Sequence, residues 1–278
     1  MITGATSGIG EIAALRLAER GARVVFVARD RARAQATLAR LAAAGPGLAH
    51  AVHFADLALL AEQRRVAQEI AAAEPRIDVL INNAGAITTG RSTTVDGLAL
   101  SFAVNHLAYY VLSLLLLPSL RASPQGRIVC TSSRAHRQAH MDFEHLQRDG
   151  WGGYAQSKLA NLLFVRRLAQ RLAGASTTVN ALHPGFVATR FADNCGYGWR
   201  ALMRLAKAIA AITPEEGART LIYLAESGQV ADRSGGYYVD CALTEPAPAA
   251  RSDADAVRLW QLSAQITGVD FAPGTGPT

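Results

Sequence analysis

Tyr154-Ala155-Gln156-Ser157-Lys158 places a phenol and an ammonium four residues apart. On a helix, positions i and i+4 share a face, so the two side chains would stand together. A free tyrosine titrates near pH 10, and only about 0.1% of it is phenolate at neutral pH. Bringing it to pH 7 needs about 4 kcal/mol of preferential stabilisation of the anion, and a lysine one turn away can supply part of that. Such a phenol could give a proton to a carbonyl oxygen or take one from an alcohol. Composition separates this pair from an ordinary solvated one. Of the 28 basic residues, lysine occurs only as Lys158 and Lys207, and a compact ammonium is not interchangeable with a planar guanidinium.

A second cluster lies at the start of the chain. In Thr3-Gly4-Ala5-Thr6-Ser7-Gly8-Ile9-Gly10 the glycines are spaced G-x-x-x-G-x-G, and a helical run follows. A glycine turn that opens a helix aims free N–H groups and the positive dipole end at an anion, and it lets a phosphate approach the backbone.

These residues must be held by a scaffold, and hydrophobic patterning indicates which one. Apolar strand-like runs at 23–28, 50–54, 78–83, 127–131, 178–182 and 236–240 alternate with helical patterns at 30–44, 57–73, 95–120, 154–172, 201–211 and 214–226. A further helix is expected at 254–266. Continuous apolar strands separated by amphipathic helices predict an α/β fold: a Rossmann-type, doubly wound parallel sheet of about seven strands with helices on both faces. We expect one domain over 1–271 and a disordered tail at 272–278. Ligands of such sheets bind beyond the carboxyl ends of the strands. Gly4 to Gly10, Arg29, Asp56-Leu57, Asn82-Asn83-Ala84-Gly85, Ser132-Ser133 and Pro184-Gly185 all fall there. Only Met1 and Ile2 precede the glycine loop. A central strand needs about five or six residues, so the first strand reads as truncated. We expect an empty core slot beside it and a natural start upstream.

Composition excludes several classes. Half of the residues are hydrophobic and 18% are charged, as in a globular chain. The net charge of +6 comes from scattered arginines without interleaved aromatics, so no nucleic-acid partner is expected. Cys130, Cys195 and Cys241 lie far apart, against a disulfide framework or zinc ribbon, and fit a cytoplasmic protein. The apolar run 107–117 is too short to span a bilayer. His136, His140, His145 and Asp142 crowd one stretch whose flanks read as a loop. We expect a surface insertion rimming the cleft and no metal. Cys130 reads as a buried strand residue.

The motifs together resemble the short-chain dehydrogenase/reductase family. Thr3–Gly10 matches T-G-x-x-x-G-I-G, and N-N-A-G (82–85), a serine, Y-x-x-x-K and P-G (184–185) follow in order over about residues 1–245. Ser132-Ser133-Arg134-Ala135-His136 and the SKLANLLF run at 157–164 are most similar to the retinol-dehydrogenase-like branch. The resemblance implies an oxidoreductase with Tyr154 as acid or base. It implies Ser133, rather than Ser132, on the substrate oxygen, Asn105 supporting a proton-relay water, and Lys158 on the cofactor ribose. It implies cofactor contacts from Gly4, Ser7, Gly8, Ile9, Gly10, Arg29, Asp56, Leu57, Asn82, Ala84, Gly85, Tyr154, Lys158, Pro184, Gly185, Val187 and Thr189.

Members selective for NAD carry an acid at the end of the second strand. Eighteen residues past Gly10 stands Ala28, followed by Arg29, and Asp30 falls where it would cap the next helix. An arginine fork there suits a 2′-phosphate, so NADP(H) is expected in preference to NAD(H). A substrate loop at about 186–213 carries Phe186, Phe191, Tyr197 and Trp199, with Gly196 and Gly198 as hinges, which predicts a lipophilic carbonyl or alcohol. The family's long helices imply a homodimer or homotetramer. The alternative function on the same fold is a non-catalytic dinucleotide-binding sensor.

Overall fold

The structure is a computed structural model, and it describes residues 1–88, 92–185 and 213–271. Strands β1 (Ile2–Thr3), β2 (Val25–Ala28), β3 (Ala51–Phe54), β4 (Val79–Asn82), β5 (Arg127–Thr131), β6 (Thr178–His183), β7 (Tyr237–Val239) and β8 (Ala242–Leu243) form one sheet. Their order is β3-β2-β1-β4-β5-β6-β7-β8. All neighbours pair in parallel except β7 and β8. The sheet therefore has eight strands, one more than expected. The extra one is a two-residue antiparallel return after Asp240 and Cys241, both at positive φ. A tight turn of this kind leaves no periodic signal in the sequence.

Strand period decides the two faces. Leu80, Ile128, Ala181 and Tyr237 join one core, while their neighbours Ile81, Val129, Leu182 and Tyr238 join the other. Helices α1 (Gly8–Glu19), α2 (Arg31–Ala44) and α8 (Pro214–Glu226) cover the second face. Helices α3 (Leu60–Ala73), α5 (Ala108–Leu115), α7 (Gly150–Arg171) and α9 (Asp253–Thr267) cover the first. The order reverses at β1 and β4, so their carboxyl ends flank the switch-point crevice of this architecture. Among the described residues no helix is long and apolar enough to cross a membrane.

The helix expected at 95–120 is broken. It starts at Leu100, because 92–99 forms a turn closed by a Thr93–Ala99 bridge, with Gly97 at φ +76°. It then runs as α4 (Leu100–Phe102), a π-helical turn (Ala103–Leu107), α5, and α6 (Leu117–Arg121), which carries Pro118 in its first turn. Helix α7 begins a turn earlier than expected, at Gly150.

Strand β1 is short but paired on both sides. Ile2 lies opposite Phe26 and Ile81, the Ile81 N–H donates to the Met1 carbonyl at 2.9 Å, and the Met1 ammonium donates to the Val79 carbonyl at 2.8 Å. Below it, a cavity of about 390 Å³ opens between β2 and β4, lined by Met1, Val24, Val25, Glu74, Asp78 and Val79.

Candidate active site

The glycine loop connects β1 to α1. Gly4 and Gly8 adopt φ +71° and +60°, which side-chain-bearing residues rarely do. At Gly10 a Cβ would lie 2.3 Å from the Gly4 carbonyl and 2.4 Å from Asn83 Nδ2. Ser7 is the exposed N-cap of α1 and its hydroxyl makes no capping bond. The first turn therefore presents backbone N–H groups beside a hydroxyl, with Ile9 partly exposed. The absence of a side chain at Gly10 lets α1 pack against the Gly4 carbonyl and the Asn83 amide, and the free N–H groups of the turn fit the pyrophosphate of a dinucleotide.

Two residues of the motifs to which the sequence assigned no role hold the loop. Thr3 Oγ1 accepts from the backbone N–H groups of Asn83 and Ala84, both at 3.0 Å. Asn83 Nδ2 donates to the carbonyls of Thr3 and Gly4 at 3.2 and 3.3 Å. The carboxyl ends of β1 and β4 are thus bolted together. Tyr109 adds a bond from its hydroxyl to the Ala84 carbonyl at 2.8 Å. Asn82, expected to meet the cofactor, turns its side chain into the core and donates to Ser113 Oγ at 2.9 Å. Alternation along β4 sends Asn82 inward and leaves Asn83 at the edge.

At the end of β2, Arg29 lies 3.6 Å from Asp56, with side-chain exposures of 74% and 36%. Asp30 caps α2 by accepting from the Arg33 N–H at 2.9 Å, as its position suggested. Asp56 also accepts from the Ala58 N–H, and Leu57 joins the core beneath. Pro184 and Gly185 leave β6 at the opposite side, with Gly185 at φ +91°. Val187, Thr189 and the aromatic loop lie outside the described residues, as do Cys195 and the 272–278 tail.

Tyr154, Ser133 and Lys158 meet above β5. The Tyr154 phenol lies beside Ser133; burial pushes the phenol up to about 12, and the serine pulls the other way. Ser133 also accepts from the Ala135 N–H at 3.2 Å, capping a 3₁₀ turn at 134–138. Ser132 is excluded from the cleft. It is buried and donates to the Lys158 carbonyl at 2.7 Å, pinning α7 to β5.

Lys158 is 2% exposed, and its Nζ donates to the Thr131 carbonyl at 3.0 Å, 5.7 Å from the centre of the Tyr154 ring. Burial pushes the ammonium down to about 7. The ammonium is engaged by a backbone carbonyl, and burial is the largest influence on the phenol.

Asn105 sits in the π-helical turn and its amide is fully engaged. Oδ1 accepts from the Ala86 N–H at 2.6 Å, and Nδ2 donates to the Ala86 carbonyl and to Ser157 Oγ, both at 2.9 Å. It ties the segment after β4 to the Tyr154 helix.

The histidine-rich stretch does not form a single patch. His136 is fully buried, His140 is exposed, and His145 pairs with Asp142 at the surface. The expectation of a surface insertion fails at His136, because the 3₁₀ turn points its ring inward. Trp151, one turn before Tyr154, meets its ring at a 40° tilt with centroids 5.7 Å apart and stays 47% exposed. It was not singled out, because a lone tryptophan before a helix carries no motif.

A phosphate cradle at the switch point, joined to a tyrosine–serine–lysine site at the same sheet edge, defines a dinucleotide-binding oxidoreductase. The comparisons agree. The short chain dehydrogenase family model matches residues 1–197. Retinol dehydrogenase 14 of Mus musculus is 40% identical over 285 residues, covering 97% of this chain and 85% of the relative. A solved structure of an uncharacterized protein from Mycobacterium paratuberculosis is 32% identical with a TM-score of 0.77, covering 98% of this chain and 93% of the other. The Pseudomonas aeruginosa RhlG/NADP complex is 29% identical with a TM-score of 0.68, covering 85% and 93%. The chain belongs to the short-chain dehydrogenase family, in its retinol-dehydrogenase-like branch. It is an oxidoreductase acting on CH–OH groups with a nicotinamide dinucleotide.

Proposed function

We propose that this protein is an NADP(H)-dependent oxidoreductase that interconverts a lipophilic alcohol and its aldehyde or ketone. Tyr154 is the general acid of reduction and the general base of oxidation. The observation that carries this reading is the convergence of Tyr154 and Ser133, with the buried Lys158 ammonium 5.7 Å from the centre of the tyrosine ring.

When bound, the nicotinamide supplies or accepts the hydride at the substrate carbon. Ser133 donates to the substrate oxygen and favours its developing charge. Tyr154 delivers the proton to that same oxygen, or removes it in the reverse direction. A phenol that burial keeps protonated is ready to act as the acid. Lys158 holds the back of the tyrosine and lies where a ribose would be bound. Gly4, Ser7, Gly8, Ile9 and Gly10 would hold the pyrophosphate. Arg29 would meet the 2′-phosphate, with Asp56 and Leu57 at the adenine and Ala84, Gly85, Pro184 and Gly185 around the rest of the cofactor; the family resemblance adds Val187 and Thr189 as cofactor contacts. NAD(H) would bind more weakly.

The apolar surround supports a lipophilic substrate. Ile87, Ala135, Tyr154 and Ala155 form one cluster, and Trp151 leaves half of its indole open beside them. The relative named for retinol points the same way. A cytoplasmic location, a single domain over 1–271 and a homodimer or homotetramer complete the proposal. Each methylene buried on binding is worth about 0.8 kcal/mol. The kcat/KM with NADPH should therefore climb along a series of medium- to long-chain aldehydes. A flat series, with better turnover of small sugar-like carbonyls, would overturn the substrate class.

A further inference from the structure

Ser133 and Arg134 share one peptide group, and an imidazole holds each side of it. The Ser133 carbonyl accepts from His136 Nδ1 at 2.6 Å, and the Arg134 N–H donates to His183 Nδ1 at 3.3 Å. The other nitrogen of His136, Nε2, accepts from the Ala247 N–H at 3.1 Å. The Tyr237 ring meets His136 edge-on at 5.2 Å. One residue further on, Arg137 donates to the Glu245 carbonyl at 2.7 Å. The turn bearing Ser133 is thereby fastened to β6 on one side and to the segment after β8 on the other.

The partners fix the tautomers without appeal to titration. A backbone carbonyl only accepts, so His136 Nδ1 carries a hydrogen; a backbone N–H only donates, so His136 Nε2 and His183 Nδ1 carry none. Both rings are neutral, with opposite tautomers. A proton added to His136 Nε2 would confront the Ala247 N–H, and one added to His183 Nδ1 would confront the Arg134 N–H. Among the described residues, the ionisable groups that act on the two rings are Arg137 on His136, Arg134 and His136 on His183, and Tyr237 of β7 against the His136 ring. Burial and the two arginines both oppose protonation.

We propose that His136 and His183 are positioning residues that clamp the Ser133–Arg134 peptide and so aim the Ser133 hydroxyl at the reacting oxygen. Neither ring need touch substrate or cofactor. The clamp rests on the reading of Ser133 given above, but its geometry can be tested apart from turnover.

The test has two arms. Nitrogen-15 shifts of the histidine side chains in the folded protein at pH 7, assigned with His136→Gln and His183→Gln, read the tautomers directly. The expected result is a neutral Nδ1–H form for His136 and a neutral Nε2–H form for His183. The opposite tautomer, or a cation, at either ring would overturn the clamp whether or not a substrate is turned over. The second arm is a double-mutant cycle of His136→Gln with Ser133→Ala, measured on an aldehyde reduced by the wild type with NADPH. His136→Gln alone should lower kcat about tenfold or more, with the NADPH Kd within about twofold. In the Ser133→Ala background it should cost little further, because its effect passes through that hydroxyl. An equal loss in both backgrounds, or a loss confined to NADPH binding, would overturn the proposal. Absence of turnover in the wild type across the aldehyde series would instead count against the substrate reading and leave the tautomer result standing.

Discussion

Arg29 faces Asp56 across 3.6 Å at the mouth of the site, and both side chains are exposed. A pair this open is worth little to stability, so the guanidinium can be given up to a ligand at small cost. A charge-assisted bond to a 2′-phosphate is worth about 1.5–3 kcal/mol. Arg29→Ala should therefore weaken NADPH by about 10- to 200-fold while changing NADH little, as read by cofactor titration. Equal losses for both would refute the assignment. At this scale the sequence was informative wherever a residue type had one use. Tyr154, Lys158, Ser133 and the loop glycines stand where spacing and resemblance put them. The N-N-A-G motif is silent about which asparagine side chain is buried, and strand alternation turns Asn82 into the core and leaves Asn83 at the edge.

Among the elements, the glycine loop and α1 act as a unit, because Gly10 lets the helix close on Gly4 and Asn83. A methyl group at Gly10 would need room that the Gly4 backbone and the Asn83 side-chain amide already fill. Gly10→Ala should lower the thermal midpoint and weaken dinucleotide binding by about tenfold or more. Gly228→Ala, at a glycine with nothing within 4 Å, should barely move either. Unchanged cofactor affinity in Gly10→Ala would contradict the role given to the loop. Helix positions were legible from their 3.6-residue period, but their breaks were not. The π-helical turn at Ala103–Leu107 follows from the bonds Asn105 makes to Ala86 and Ser157, which lie 19 and 52 residues away. No local pattern encodes such partners. The same holds for β8, whose two residues fall below any periodicity.

Over the whole molecule, three histidines are folded in as neutral rings. Burial pushes His106 down to about 3 and His183 to about 4, and lowers His136 as well. The unfolded chain takes protons on the same rings near pH 6.5. It therefore binds more protons than the fold below that pH, and stability must fall as the medium is acidified from 6.5. His183 alone accounts for about 3 kcal/mol by pH 4. The paired carboxylates, such as Glu74 held down by Arg23 and Asp253 by Arg166, join the loss only at lower pH. The urea midpoint should thus drop already between pH 6.5 and 5, and a midpoint that rises over that interval would contradict the burial of neutral imidazoles. Seven histidines are plain in the sequence, but which of them the fold buries is decided by turns such as 134–138.

The protein as a whole stands or falls as a tyrosine-dependent reductase, and Tyr154→Phe tests this most directly. The substitution keeps the ring that Trp151 packs against and removes the proton. With NADPH and an aldehyde that the wild type reduces, kcat should fall by about 10² or more while the NADPH Kd stays within about twofold. Turnover close to that of the wild type would show that the proton comes from elsewhere.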